Sequence, residues 1–152
     1  MMPKQTLRLS LLVAIALVPV LAALPPVLGP EARAMVFGAF SAVCHQLPER
    51  SFHWHETSFA VCQRCFGVYA ALPLALAFWP LVRRWSAMIG RYTPALLAAS
   101  ILPMGVDWSM HLLALWTNTP FSRTSTGAWF GLAAGLVLAR ALDDLVRPPA
   151  GR

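Results

Sequence analysis

The stretch that decides the fold is Cys62-Gln63-Arg64-Cys65-Phe66-Gly67-Val68-Tyr69-Ala70-Ala71-Leu72-Pro73-Leu74-Ala75-Leu76-Ala77-Phe78-Trp79-Pro80-Leu81-Val82. From Cys65 to Val82 it carries no charged side chain. As a helix, about 20 such residues cross the ~30 Å hydrocarbon layer of a bilayer. The run predicts a span over residues 60–82, its helix starting at Phe59 or Cys62. Pro73 falls inside, which neighbouring helices tolerate in a membrane. Cys62 and Cys65, three apart, share one helical face at its first turn.

Outward from this run the pattern repeats. Apolar stretches at 7–29, 94–116 and 126–146 predict three more spans. The 152 residues are 58% apolar and 12% charged, against about 25% charged in soluble domains. The expectation is an all-α integral membrane protein of one domain, residues 1–152, with four transmembrane helices. Lys4 and Arg8 before the first run resemble the start of a signal peptide. That run outlasts the usual 7–15 residue apolar region, and Ala22-Ala23 lies inside it with Pro25-Pro26 beyond. It is read as a retained first span, kinked at Pro19. Glu31 to Val43 is apolar but too short to span, so it predicts an interfacial or re-entrant helix delivering Cys44. Thr93-Pro94 predicts the third helix start, a capping hydroxyl before a proline. Thr126-Gly127 is read as the start of the fourth. Arg140 is placed to pair with Asp143 or Asp144.

The net charge of +6 does not imply nucleic acid, because the basic residues are scattered at the ends of apolar runs and form no face. In a membrane protein that scatter reports topology. With four spans, Lys4, Arg8, Arg83, Arg84, Arg91, Arg140, Arg147 and Arg152 fall on the side of the termini. Arg33, Arg50, Arg64 and Arg123 fall on the other. The excess predicts a multi-pass protein of the inner or plasma membrane with both termini cytoplasmic. The polar segment 44–58 and the Asn118–Arg123 turn then meet at the extracytoplasmic face. The expected partners are the lipid bilayer and a second membrane chain, as a homo-oligomer or another subunit.

Chemistry concentrates at that face. Cys44, His45, Cys62 and Cys65 make a donor set suited to tetrahedral zinc, the cofactor the sequence points to. Adjacent residues seldom both face one metal, so at most one of Cys44 and His45 sits comfortably, and Cys44 is preferred. The alternatives are a disulfide, either structural or redox-active, the latter making a membrane thiol–disulfide oxidoreductase using Cys62 and Cys65, or inert buried thiols. Only Cys44 remains to serve as a second pair, which counts against the redox reading. His53 and His55 read as loop histidines. Asp107 and His111 lie one turn apart within the third run, where ionisable groups are functional by default. Asp107 would pair with His111 or with Arg123, and Asn118 would extend the same face if the helix persists. Asp107, His111 and Arg123 are therefore candidate catalytic residues, and Arg50, Asn118 and Arg123 candidate substrate-binding ones. The natural chemistry is a metal-activated water acting on a lipid head group or another anionic substrate. A small transporter or partner subunit with a structural metal is the further alternative. Gly127, Gly131 and Gly135, at four-residue spacing, predict a close helix–helix face.

These motifs resemble a family. Cys44-His45-Gln46, Glu49-Arg50-Ser51-Phe52, Cys62, Arg64-Cys65, Gly67, Tyr69, Asp107, Asn118, Arg123 and Thr126-Gly127 are similar in identity and spacing to the prokaryotic membrane proteins grouped as domain of unknown function 2085. The resemblance covers about Cys44 to Gly127. His111 stands where the pattern has glutamine, and His53 and His55 lie outside it. What the resemblance implies is a polytopic membrane protein; it supplies no activity.

Overall fold

A computed structural model describes residues 4–146. Arg147 and Arg152, which entered the charge count, lie outside the described residues. The chain is mainly helical: α1 (Lys4–Ala23), α2 (Pro30–Ser41), strands β1 (Ser51–Trp54) and β2 (Thr57–Cys62), α3 (Gln63–Val82), α4 (Ser86–Arg91), α5 (Thr93–Leu112) and α6 (Pro120–Val146). Among the described residues three segments are long and apolar enough to cross a membrane: Gln63–Arg91, Thr93–Leu112 and Pro120–Leu145. A shorter apolar helix, Leu9–Ala23, accompanies them.

The first helix stops at Ala23 instead of reaching residue 29, because Pro25 and Pro26 supply no backbone N–H to continue it. A single 3₁₀ turn, Pro25–Val27, follows. Arg33 reaches back from α2 to its carbonyls, donating from Nε to Pro25 at 3.2 Å and from Nη2 to Leu28 at 3.1 Å. The short helix expected before Cys44 is present as α2. After Val82 the basic stretch forms a 3₁₀ turn, Arg83–Trp85, running into α4.

Three further boundaries correct the sequence reading. The fold is not purely α: within and just after the polar segment 44–58, β1 and β2 form an antiparallel hairpin, Trp54 pairing with Thr57 and Ser51 with Cys62. Residues 60–62 therefore belong to β2, and the second long helix starts at Gln63. Phe52, Phe59 and Phe66, with ring centroids 5.6–5.9 Å apart, pack the hairpin onto the first turn of α3. The last helix begins at Pro120, not Thr126. Thr119 and Ser122 form a reciprocal cap, each hydroxyl accepting the other's backbone N–H at 3.1 Å, with proline at the first helical position. Thr126 is internal, its hydroxyl donating to the Ser122 carbonyl at 2.8 Å. Thr93 likewise is no cap: it is the first residue of α5, and its hydroxyl donates back to Ile89 at 2.8 Å.

The scaffold is the α3–α6 pair, with α1 along α3 and α5 along α6. The glycine spacing is its cause. A methyl group at Gly127 would land on the Arg64 carbonyl oxygen, and one at Gly67 on that of Thr124. Backbone thus meets backbone at the end of the bundle where Arg64, Cys65 and Arg123 are carried. At the other end Trp79 is fully buried against Leu76 and Ala139. Arg83 there pairs with Asp143 at 3.0 Å, and Arg140 with Asp144 at 3.4 Å.

Candidate metal centre and adjoining cavity

Each cysteine is placed by a different element. Cys44 follows the end of α2, its N–H bonded to the Phe40 carbonyl at 3.0 Å, and is buried beside Ala22 and Val61. Two residues on, Gln46 adopts a left-handed backbone (φ 53°). Its amide donates to the carbonyls of Phe37 at 2.7 Å and Ala60 at 2.9 Å, clamping the Cys44 loop between α2 and β2. Cys62 ends β2 and occupies the N-cap of α3, and Cys65 follows in the first turn. Backbone N–H groups of Cys62 and Gln46 point at the Cys44 sulfur, at 3.2 and 3.5 Å.

All three cysteines are free thiols, and their Sγ atoms lie within 4.8 Å of one another. Zinc–thiolate bonds of ~2.3 Å in tetrahedral geometry set sulfurs about 3.8 Å apart. Contraction by about 1 Å at most would close the cluster on an ion, so the donor set fits. Hydrogen bonding from the Cys65 thiol lowers the Cys62 thiol to about 5. Burial opposes this shift, while the backbone N–H of Cys65 and the Cys44 thiol reinforce it. A thiolate at the N-terminus of α3 also meets the positive end of the helix dipole.

The cysteines form one wall of a cavity of about 360 Å3. Arg50, Asn118 and Arg123 line it, as do His45 and His111. The two halves of the predicted site therefore come together at one end of the bundle. His45 faces the cavity but is outside the cluster of three donors. His53, exposed on β1, and His55, at the hairpin turn (φ 53°), do not line it.

Asp107 stands behind the cavity wall, and its partners correct the expectation. It pairs with Arg64, not with His111 or Arg123. The same carboxylate oxygen accepts a 2.7 Å hydrogen bond from Asn118 Nδ2. Asn118 does not reach it along a continuous helix to residue 116, as its place on a polar stripe assumed. α5 ends at Leu112 in a Schellman motif: Ala114 is left-handed (φ 56°), its N–H bonds to His111 at 3.1 Å, and the Leu115 N–H bonds to Met110 at 3.0 Å. The chain then folds back and carries Asn118 to Asp107.

Two glutamines hold the site together without being candidate site residues themselves. Gln46 has the clamping role described above. Gln63, 5% exposed, donates to the Ser51 carbonyl at 3.2 Å and accepts from Arg123 Nη1 at 3.4 Å. Their signal was an uncharged amide beside each cysteine motif, at the edge of an apolar run where a polar group has to find partners.

The sequence profile described as "Predicted membrane protein (DUF2085)" matches residues 44–137, which include the cysteines, Asp107, Asn118 and Arg123. A protein of Methanothermobacter thermautotrophicus is 31% identical over 115 residues, covering 74% of this chain and 97% of its own. Another, from Methanocaldococcus jannaschii, is 31% identical over 80 residues, or 53% of this chain. The match spans about half of that relative's length, 51%. Both relatives are described as uncharacterised. No solved structure matches.

Proposed function

The chain belongs to the DUF2085 family of predicted membrane proteins, and from that membership we propose a four-span protein of the cell membrane that holds zinc at one end of its bundle. Cys44, Cys62 and Cys65 are the ligands. The observation that carries this reading is the three sulfurs within 4.8 Å of one another on a cavity wall. Three donors leave a fourth position, which we assign to the cavity and not to His45, because His45 is tied in sequence to Cys44. The α1 helix completes the four spans. The basic excess places both termini in the cytoplasm and the cavity on the extracytoplasmic side.

Zinc with an open position supplies a polarised, readily ionised water. In this reading Arg50 and Arg123 hold an anionic substrate against it. Asn118 positions it, and His111, which also lines the cavity, moves the proton. Asp107 keeps Arg64 in place at the start of α3.

Metal analysis of the purified protein, with thiol titration under denaturing, non-reducing conditions, tests the centre. The expected result is roughly one zinc per chain, as a single closed cluster requires, and three titratable thiols after chelation. Cys44→Ser, Cys62→Ser and Cys65→Ser each lose the metal, and His45→Ala keeps it. A second reading rests on the lowered Cys62 thiol, which suits the attacking sulfur of a thiol–disulfide exchange using Cys62 and Cys65. Metal-free protein with a Cys62–Cys65 disulfide would replace the zinc reading with that one.

A further inference from the structure

The charges around the cavity do not cancel. Of the guanidinium groups lining it, Arg64 is committed to Asp107. Arg50 and Arg123 make no ion pair among the described residues, and the side chain of Arg123 has a single long hydrogen bond, to Gln63 at 3.4 Å. Both are half-buried, where a positive charge attracts an anion more strongly than at an open surface.

Asn118, 7% exposed, is held behind these charges, its Nδ2 donating to the Asp107 carboxylate at 2.7 Å.

The mouth of the cavity is apolar. Val43, Leu47 and Trp108 line it while being 60%, 39% and 52% exposed. A soluble oxyanion gains nothing from this rim. An acyl chain does, and a tryptophan at a lipid–water boundary suits it.

We propose that the cavity binds the headgroup of an anionic phospholipid. The phosphate lies between Arg50 and Arg123, and the acyl chains leave past Val43, Leu47 and Trp108. The proposal deepens the reading above by naming its substrate class and rests on it for the membrane setting, while the binding itself does not require zinc.

Titration calorimetry on the full chain in a neutral maltoside detergent tests it, with three probes: dioctanoyl phosphatidylglycerol, dioctanoyl phosphatidylcholine and inorganic phosphate. Phosphatidylglycerol is expected to bind about tenfold or more tighter than either of the others, the worth of one charge-assisted hydrogen bond. Arg50→Gln and Arg123→Gln should each abolish that preference, and Arg123→Lys should keep part of it. Equal affinity for the two lipids overturns the proposal, and that comparison needs no variant. Phosphate binding as tightly as phosphatidylglycerol overturns the lipid assignment in favour of a soluble oxyanion. Unchanged phosphatidylglycerol binding by well-folded Gln variants overturns the site. Zinc content measured on the same samples separates the two readings. Zinc-free protein that keeps the lipid preference defeats the metal centre alone, and zinc-loaded protein without it defeats the lipid site alone.

Discussion

Ala114 holds a left-handed backbone with φ 56°, and the approach of Asn118 to Asp107 depends on the turn it makes. An L-residue with a Cβ pays roughly 1–2 kcal/mol for this conformation. Glycine at the same place makes the usual helix stop. Ala114→Gly is therefore expected to raise stability by about 1 kcal/mol, seen as a higher midpoint of thermal unfolding in detergent; a lower midpoint would contradict the Schellman geometry. The same residue explains a failure of legibility. Leu113, Ala114, Leu115 and Trp116 carry no glycine or proline stop, so the apolar pattern reads on to 116 while the chain turns at 113. Thr119-Pro120 was the opposite case, a capping threonine before a proline three residues ahead of Ser122, legible but passed over for Thr126-Gly127. The site residues themselves were named in sequence because ionisable groups and thiols stand out against hydrocarbon. Their pairing was not, since nothing in the spacing says that Asp107 meets Arg64, 43 positions away.

At the scale of elements, the contact between α3 and α6 sets how close the cysteines come to Arg123. Gly127 and Gly67 sit where backbone meets backbone, whereas Gly38, in the last turn of α2, has open space around a would-be Cβ. Gly127→Val is expected to cost about 1–3 kcal/mol or more, the usual penalty of overpacking, and to lower metal content along with it. Gly38→Ala should stabilise by up to about 1 kcal/mol, the helix propensity difference alone. Unfolding midpoints of the two variants, measured side by side, check both signs. This face was legible from the four-residue spacing. The hairpin was less so: its turn uses His55 and Glu56 where Asn-Gly would have announced it, and its strands are short enough to pass for a polar loop.

Across the whole molecule, the site gathers where α3 and α6 begin and α5 ends. Arg83, Arg84 and Arg91 gather at the far end. That polarity makes sidedness a single testable quantity. A topology reporter fused in the turn at residues 117–119 should report the extracytoplasmic side, and one inserted between α3 and α5 near Arg84 the cytoplasmic side. The reverse pattern would leave the cluster intact and move it into the reducing compartment, where a disulfide would not persist.

Arg64 has one more consequence. It lies between Cys62 and Cys65 in the chain, and its guanidinium grips a carboxylate on α5, a helix with only Ser100 buried. The least buried of the three long apolar segments is thus tied by one ion pair to the backbone that spaces two of the sulfurs. A sideways displacement of α5 in the bilayer would load that tie like a rod and pull on the geometry of the thiols. The cluster and the surrounding lipid are in this way mechanically connected through a single side chain.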